Sequence, residues 1–183
     1  MGFSIQSDIA WDSFPVSLGL KPFPMSSFDP DAPTAGHFVG REHRFPVRVY
    51  FEDTDFSGVV YHANYLRFME RARSDMLRVA GIGQREAYAA GEGVYAVADL
   101  HIKYRRPARF DDALLIVSTV EQLRAAACVI HQRVMLGDEL MAEARVTAAF
   151  ITPEGRPRRQ PRAWMDAFEQ LLPAQTETEN EKI

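Results

Sequence analysis

Three apolar-rich segments joined by short links fill residues 114–151, LLIVSTVEQLRAAACVIHQRVMLGDELMAEARVTAAFI. Their alternation and their β-branched residues predict strands over 114–120, 128–136 and 141–151. The links are too short for a parallel crossover, which needs about a dozen residues. The pair Gly137-Asp138, between two of these runs, is typical of a tight hairpin. We therefore expect the three strands to be antiparallel neighbours.

A long helix and two further strands precede this segment. Alternation over 98–104 predicts a strand with one buried face that ends before Pro107. Residues 63–80 are predicted to be helical, because apolar residues recur there every three or four positions and Gly81 follows. The apolar stripe contains Tyr65, Met69, Ala72, Met76 and Val79, and the polar face contains Arg67, Glu70, Arg71, Ser74, Asp75 and Arg78. With a first strand over 47–51, this order predicts an α+β fold, a curved antiparallel sheet on one central helix.

The two ends of the chain differ from this folded part. Residues 1–40 hold five of the eleven prolines and have no sustained apolar period. We therefore predict an irregular N-terminal extension over 1–44. Residues 173–183 are predicted to be a flexible acidic tail, which leaves a single folded domain over 45–172.

Composition narrows the class of protein. The chain has 183 residues, a net charge of −4 and one cysteine, which excludes an intrachain disulfide. Its longest uninterrupted apolar run, 125–130, is far shorter than the roughly 20 residues of a membrane helix. We expect no signal peptide, because no basic segment precedes an apolar stretch near Met1. The acidity lies at the ends, so nucleic-acid binding is not indicated. We expect a cytoplasmic protein without membrane insertion.

The densest polar cluster lies in residues 52–65, EDTDFSGVVYHANY, where the first strand leads into the helix. The N-terminus of a helix offers unpaired N–H groups and a positive dipole end, which can stabilise an oxyanion. A carboxylate beside it can attack a carbonyl or activate water. Such a pair suits acyl transfer, although capping of the helix by Asp53 or Asp55 explains the spacing equally well.

Other uses of this cluster are less favoured by the residues. His62 is as consistent with a structural role as with a general base. A metal site built from Glu52, Asp53, Asp55 and His62 is disfavoured, because alternate strand residues point to opposite faces. Ser57 has no evident activating partner and is predicted to be a turn residue. The Asp53-x-Asp55 pattern of haloacid-dehalogenase-like phosphatases is excluded, because four strands follow one helix here without intervening helices.

Residues 48–73, RVYFEDTDFSGVVYHANYLRFMERAR, closely resemble the hotdog-fold acyl-CoA thioesterases. Within them the stretch is most similar to the 4-hydroxybenzoyl-CoA thioesterase group and its Tol-Pal-associated branch. A second similar stretch is residues 104–112, YRRPARFDD. The resemblance implies a hotdog fold and hydrolysis of an acyl-CoA to a free acid and coenzyme A. It also implies a homodimer or homotetramer, and no cofactor apart from the coenzyme A of the substrate.

The resemblance also implies roles for individual residues. Asp55 matches the catalytic aspartate, which acts as nucleophile or as general base. The backbone N–H at His62 polarises the thioester carbonyl, with its imidazole as a further option, and Gly58 lets the loop approach. The substrate pocket is expected to contain Val60, Tyr61, Asn64, Tyr65 and Glu70. Ser57 stands where the family more often has glycine or alanine.

Two further expectations concern partners. The phosphates of coenzyme A suit the basic residues Lys103, Arg105, Arg106 and Arg158, although solvation or pairing with a nearby acid is favoured for any single one of them. The alternative to an enzyme is a non-catalytic interaction module that binds acyl carrier protein or an envelope-assembly complex. A dehydratase acting on acyl thioesters is a third option on the same scaffold.

Overall fold

Six strands form one antiparallel sheet in the computed structural model, which describes residues 35–173. The strands are β1 (His37–Val39), β2 (Glu42–Arg48), β3 (Val94–Tyr104), β4 (Ala113–Arg124), β5 (Ala127–Leu136) and β6 (Glu139–Ile151). The helices are α1 (His62–Val79), α2 (Gln84–Ala89) and α3 (Arg162–Glu169). The sheet order is β1-β2-β4-β5-β6-β3. The predicted α+β class, with antiparallel strands packed on one long helix, is confirmed.

Helix α1 packs its apolar side on strands β2, β4 and β5. Its buried face includes Tyr65, Phe68, Met69, Ala72 and Met76, at the spacing that the sequence predicts. Two predicted positions are wrong. Val79 is 40% exposed because it ends the helix, and Asp75 is only 6% exposed although it was expected on the polar face.

Strands β3 to β6 lie where alternation predicts them, and each is longer than predicted at one end or both. The hairpin between β5 and β6 turns at Gly137, whose φ is +57°, a left-handed conformation that glycine adopts without strain. The expected buried face of β3 is only half-buried, and Tyr104 is 46% exposed. The reason is that β3 is an edge strand: within the described residues it has a neighbouring strand, β6, along one edge only.

The sheet begins earlier than the sequence predicts. Strands β1 and β2 pair with each other over residues 37–44, which were expected to be irregular. The predicted strand over 47–51 is mostly wrong, because β2 ends at Arg48 and residues 51–53 form a single 3₁₀ turn. The predictions for residues 1–34 and 174–183 lie outside the described residues and stay predictions.

A buried polar contact joins the β1–β2 hairpin to the C-terminal part of α1. The Oδ2 atom of Asp75 accepts hydrogen bonds from the backbone N–H of Gly36 at 2.7 Å and from Nε2 of His43 at 2.9 Å. Burial lowers the pKa of His43, outweighing the hydrogen bond to Asp75, so the ring is neutral near pH 7. A Cβ at Gly36 would lie 2.5 Å from the His43 ring and 2.6 Å from the carbonyl oxygen of Arg44. We call Gly36, His43 and Asp75 the Asp75 clamp.

Helices α2 and α3 were not predicted, because each is too short to show a full apolar period. Helix α3 contacts β4 and packs Trp164 and Phe168 beside Tyr95, near the start of β3, with ring centroids 5.8 Å and 6.2 Å from that of Tyr95. Within residues 35–173, the helices are all too short or too polar to cross a membrane.

Candidate active site

Asp53 organises the loop that leads into α1. Its buried Oδ2 accepts the backbone N–H of Tyr50 at 2.8 Å. Its carbonyl accepts the N–H of Tyr61 at 2.9 Å and the side-chain amide of Asn64 at 2.9 Å. Asp53 and Asn64 therefore fix the loop onto the first turn of the helix, and Asp53 is turned away from solvent.

The second of the similar stretches, residues 104–112, holds the same loop from the other side. The N–H of Val60 donates to the carbonyl of Ala108 at 2.8 Å. The N–H of Ala108 in turn donates to the phenol oxygen of Tyr65 at 2.9 Å. Burial raises the pKa of Tyr65, so this phenol stays protonated. The two stretches that carry the family resemblance thus form one structural unit.

Asp55 is presented to solvent by this loop. Its Oδ1 accepts the hydroxyl of Ser57 at 2.5 Å and the backbone N–H of Ser57 at 2.8 Å. These two bonds, the hydroxyl first, hold the pKa of Asp55 below its ordinary value, so the carboxylate is ionised at neutral pH. Ser57 lies in a turn, as the sequence predicts, and the bond to Asp55, only two residues away, is the contact that the sequence did not predict.

Gly58 has a backbone reason for being glycine. Its φ is +76°, in the left-handed region that other residues enter only with strain. A Cβ built there meets no atom within 4 Å. The turn therefore requires glycine here, and the expected approach of the loop to the thioester stays a prediction.

An open pocket of about 340 Å³ lies between Asp55 and the start of α1. It is lined by Asp55, Val59, Val60, His62, Tyr65, Tyr104, Arg105, Arg106 and Pro107. Because α1 begins at His62, the backbone N–H groups of His62 and Ala63 have no intrahelical acceptor, whereas that of Asn64 already donates to the carbonyl of Tyr61 at 2.8 Å. The Tyr104 hydroxyl donates to the carbonyl of His62 at 3.0 Å, which links β3 to this helix end. The pocket therefore combines an anionic carboxylate with a helix N-terminus.

Three predicted pocket residues lie elsewhere. Asn64 is buried behind the loop, and Tyr61 packs its ring 4.4 Å from the His62 ring, outside the pocket lining. Glu70 lies about two turns after His62 along α1, a distance of about 12 Å along the helix axis. Its carboxylate accepts the Ser74 hydroxyl at 2.7 Å and lines a groove between α1 and β3. In the single chain, Glu70 does not reach the Asp55 pocket.

The basic residues predicted to contact coenzyme A separate into two groups. Arg105 and Arg106 lie at the rim of the Asp55 pocket, paired with Glu143 at 2.5 Å and Glu139 at 2.9 Å.

Lys103 and Arg158 lie away from that rim. Lys103 lines a different groove, on the sheet. Arg158 donates to the carbonyls of Gly91 at 3.2 Å and Glu92 at 2.7 Å, beside the start of β3. Within one chain the start of β3 lies about 30 Å from Tyr104, which ends the strand at the pocket. Within one chain the four basic residues therefore do not form a single group, and their contact with coenzyme A stays a prediction.

The sequence prediction left out Val59 and Pro107 from the pocket. Val59 lies in the first of the two stretches that carry the resemblance, and Pro107 lies in the second. A β-bridge between Val59 and Arg109 brings the two stretches together. Residues 35–173 contain no group of three or more His, Cys, Asp or Glu side chains arranged to hold a metal ion.

Known proteins share this architecture. Residues 49–172 match the Thioesterase-like superfamily. Over 129 residues the chain is 40% identical to the acyl-CoA thioester hydrolase YbgC of Escherichia coli O6:H1, covering 69% of this chain and 96% of the relative. Over 107 residues it is 39% identical to the acyl-CoA thioesterase YbgC of Haemophilus influenzae, covering 58% and 79% of the two chains.

A solved structure gives the same answer for the fold. The crystal structure of a probable thioesterase from Bartonella henselae matches with a TM-score of 0.62 at 40% identity, covering 66% of this chain and 99% of that one. The hotdog fold predicted from the sequence is thereby confirmed, and so is the resemblance to thioester hydrolases. The chain belongs to the Thioesterase-like superfamily of hotdog-fold proteins.

Proposed function

We propose that this protein is an acyl-CoA thioesterase that hydrolyses an acyl-CoA to a free acid and coenzyme A. The observation behind this proposal is that the ionised Asp55 and the first turn of α1 line the same open pocket. The names of the relatives, acyl-CoA thioester hydrolase and acyl-CoA thioesterase, support the substrate class.

In the proposed reaction the thioester carbonyl lies against the N–H groups at the start of α1. These groups stabilise the negative charge that develops on the carbonyl oxygen. Asp55 either removes a proton from the attacking water or attacks the carbonyl carbon itself, giving an anhydride that water then cleaves. The carbon–sulfur bond breaks, and the departing thiolate takes up a proton. Both routes use only a carboxylate, a helix end and water.

A panel of three thioesters tests the proposal. Butyryl-CoA, palmitoyl-CoA and 4-hydroxybenzoyl-CoA represent short, long and aromatic acyl groups, and a thiol-reactive dye follows the release of coenzyme A. We expect at least one to be hydrolysed well above the background without enzyme. No release from any of them, together with a stable complex with acyl carrier protein in a pull-down, would favour the non-catalytic module. Hydration of crotonyl-CoA without thiol release would instead indicate a dehydratase.

The pocket rim leads to a prediction about coenzyme A. Arg105 lines the pocket and is half-exposed, so its guanidinium can contact a phosphate while it stays near Glu143. We expect Arg105→Gln to raise KM for the best acyl-CoA about fivefold. KM for the matching N-acetylcysteamine thioester, which lacks the nucleotide, should not change.

A matched arginine serves as the control for this measurement. Arg162 is also ion-paired, with Asp166 at 2.9 Å, but it lies on α3 away from the pocket. Arg162→Gln should leave both KM values unchanged. An equal rise of KM for both substrates in Arg105→Gln would contradict contact with coenzyme A.

We also propose that the protein forms a homodimer through the edge of β3. Within the described residues, β3 pairs only with β6 and is eleven residues long, whereas β1, the strand at the opposite edge, is only three residues long. A long open edge favours pairing with a second strand. Val97, in β3, is 52% exposed. A homotetramer would consist of two such dimers.

A charge at the β3 edge tests the dimer. We expect Val97→Asp to reduce the mass measured by light scattering from that of two or four chains toward that of one. The control is Val39→Asp, since Val39 is similarly exposed, at 48%, but lies in the other edge strand. A monomeric wild-type protein, or an equal response of the two variants, would exclude this interface.

A further inference from the structure

Two donors from one residue converge on a single oxygen of Asp55. The hydroxyl and the backbone N–H of Ser57 both donate to Oδ1. We propose that Ser57 is a positioning residue, whose hydroxyl holds Oδ1 so that Oδ2 is the atom that reacts. This inference rests on the proposed function, in which the Asp55 carboxylate attacks the thioester or activates water.

The geometry distinguishes the two oxygens of the carboxylate. Oδ1 accepts both of the hydrogen bonds formed to the Asp55 carboxylate within residues 35–173, and the backbone N–H of Val59 stabilises the carboxylate charge more weakly. Asp55 is exposed and lines the pocket beside His62. An oxygen that already accepts two hydrogen bonds is a weaker base and nucleophile than one that accepts none. The reaction is therefore directed to Oδ2.

The hydroxyl also limits the rotation of the Asp55 side chain. An aspartate side chain has three staggered χ1 wells, and an exposed one exchanges between them. The backbone N–H of residue 57 alone would leave the carboxylate held by one bond. Since the Ser57 hydroxyl lies 2.5 Å from the same oxygen, the second bond favours the orientation that satisfies both donors.

In an alternative interpretation of this contact, Ser57 is the nucleophile and Asp55 is the base that removes its proton. As a base for Ser57, Asp55 would take the hydroxyl proton through Oδ1, the oxygen whose basicity the backbone N–H of Ser57 already reduces. Within the described residues no further side chain donates to Asp55 to orient it as a base. The positioning role fits these contacts better, and the two roles lead to different experimental results.

The experiment compares three variants on the panel thioester that the wild-type protein hydrolyses fastest. We expect Ser57→Ala to lower kcat about three- to tenfold with KM within about twofold, because the carboxylate then samples other rotamers. The acid limb of its pH–rate profile should move to higher pH, since the pKa of Asp55 rises when the hydroxyl is lost. Ser57→Thr should restore both properties.

Thr54→Val provides the matched control. The Thr54 hydroxyl lies in the same loop but donates to the carbonyl of Phe51 at 2.9 Å, without touching Asp55. Its loss should change neither kcat nor the acid limb. Equal behaviour of Ser57→Ala and Thr54→Val would overturn the inference.

A measurement without substrate separates this inference from the proposed function. Carboxyl ¹³C NMR titration gives the pKa of Asp55 in the wild-type protein and in Ser57→Ala, whether or not any thioester is hydrolysed. A higher pKa in the variant supports the inference, and an unchanged one overturns it. Complete loss of turnover in Ser57→Ala, with an acyl group trapped on Ser57 in the wild-type protein by mass spectrometry, would overturn it in favour of a serine nucleophile.

Discussion

Replacing Asp55 by asparagine is expected to lower kcat for acyl-CoA hydrolysis by about 10³-fold, within the range for loss of a general base. The asparagine side chain keeps an oxygen that can accept the two donors of Ser57, so the loop should retain its shape. It has no negative charge to attack the thioester or to accept a proton from water. Thermal unfolding and the oligomeric mass should therefore match those of the wild-type protein.

The control for this variant is a second exposed carboxylate in the same loop. Glu52 lies three residues before Asp55 and does not line the pocket. Glu52→Gln removes the same charge and should keep kcat within about twofold. Near-normal turnover in Asp55→Asn would contradict the role of Asp55, whereas equal losses in both variants would indicate a general effect of charge on the loop.

The largest effect on stability is expected from Asp75→Ala. The carboxylate of Asp75 is the acceptor for the backbone N–H of Gly36 and for Nε2 of the buried His43. Removing it leaves two donors without a partner, and each such donor costs about 1–3 kcal/mol. We expect the free energy of unfolding to fall by about 3 kcal/mol and the melting midpoint by roughly 6–12 °C. Chemical and thermal denaturation would measure both.

Arg78 separates the contribution of the buried contacts from that of the charge pair. Its guanidinium contacts Oδ1 of Asp75 but is 63% exposed, and exposed pairs contribute about 1 kcal/mol or less. Arg78→Gln should therefore lower the midpoint much less than Asp75→Ala. Equal losses would mean that the ion pair, rather than the Asp75 clamp, holds the hairpin on the helix.

Most of the fold could be predicted because its elements have regular apolar periods. The buried residues of α1 and the strands β4 to β6 follow the periods of helix and strand. Strand β2 does not, because the buried side chain of His43 is polar and is satisfied by Asp75 from another element. The same contact explains why Asp75 lies inside, although its position on α1 suggested the solvent face. Because Asp75 is 32 residues from His43, no local pattern in the sequence indicates that the two side chains are in contact.

The candidate site could be predicted in part, for a related reason. Asp55, Gly58 and the start of α1 lie in one continuous stretch, so the motif identifies them together. Arg105 lines the pocket and Arg158 lies near the start of β3, a difference that was not predicted because a sequence gives the charge of a residue but not the end of the sheet that it occupies. The bond from Ser57 to Asp55 depends on the exact shape of a turn, which residue types alone do not determine.

The Asp75 clamp has a consequence for the ancestry of the family. Its parts are useful only together: Gly36 leaves no room for a Cβ, and His43 and Asp75 are each buried against the other. A lineage that loses one of the three has little reason to retain the remaining two. We therefore expect glycine, a histidine seven residues later and an aspartate 32 residues beyond it to be inherited as a set. Their joint occurrence would mark the branches whose hairpin is anchored on the helix in this way.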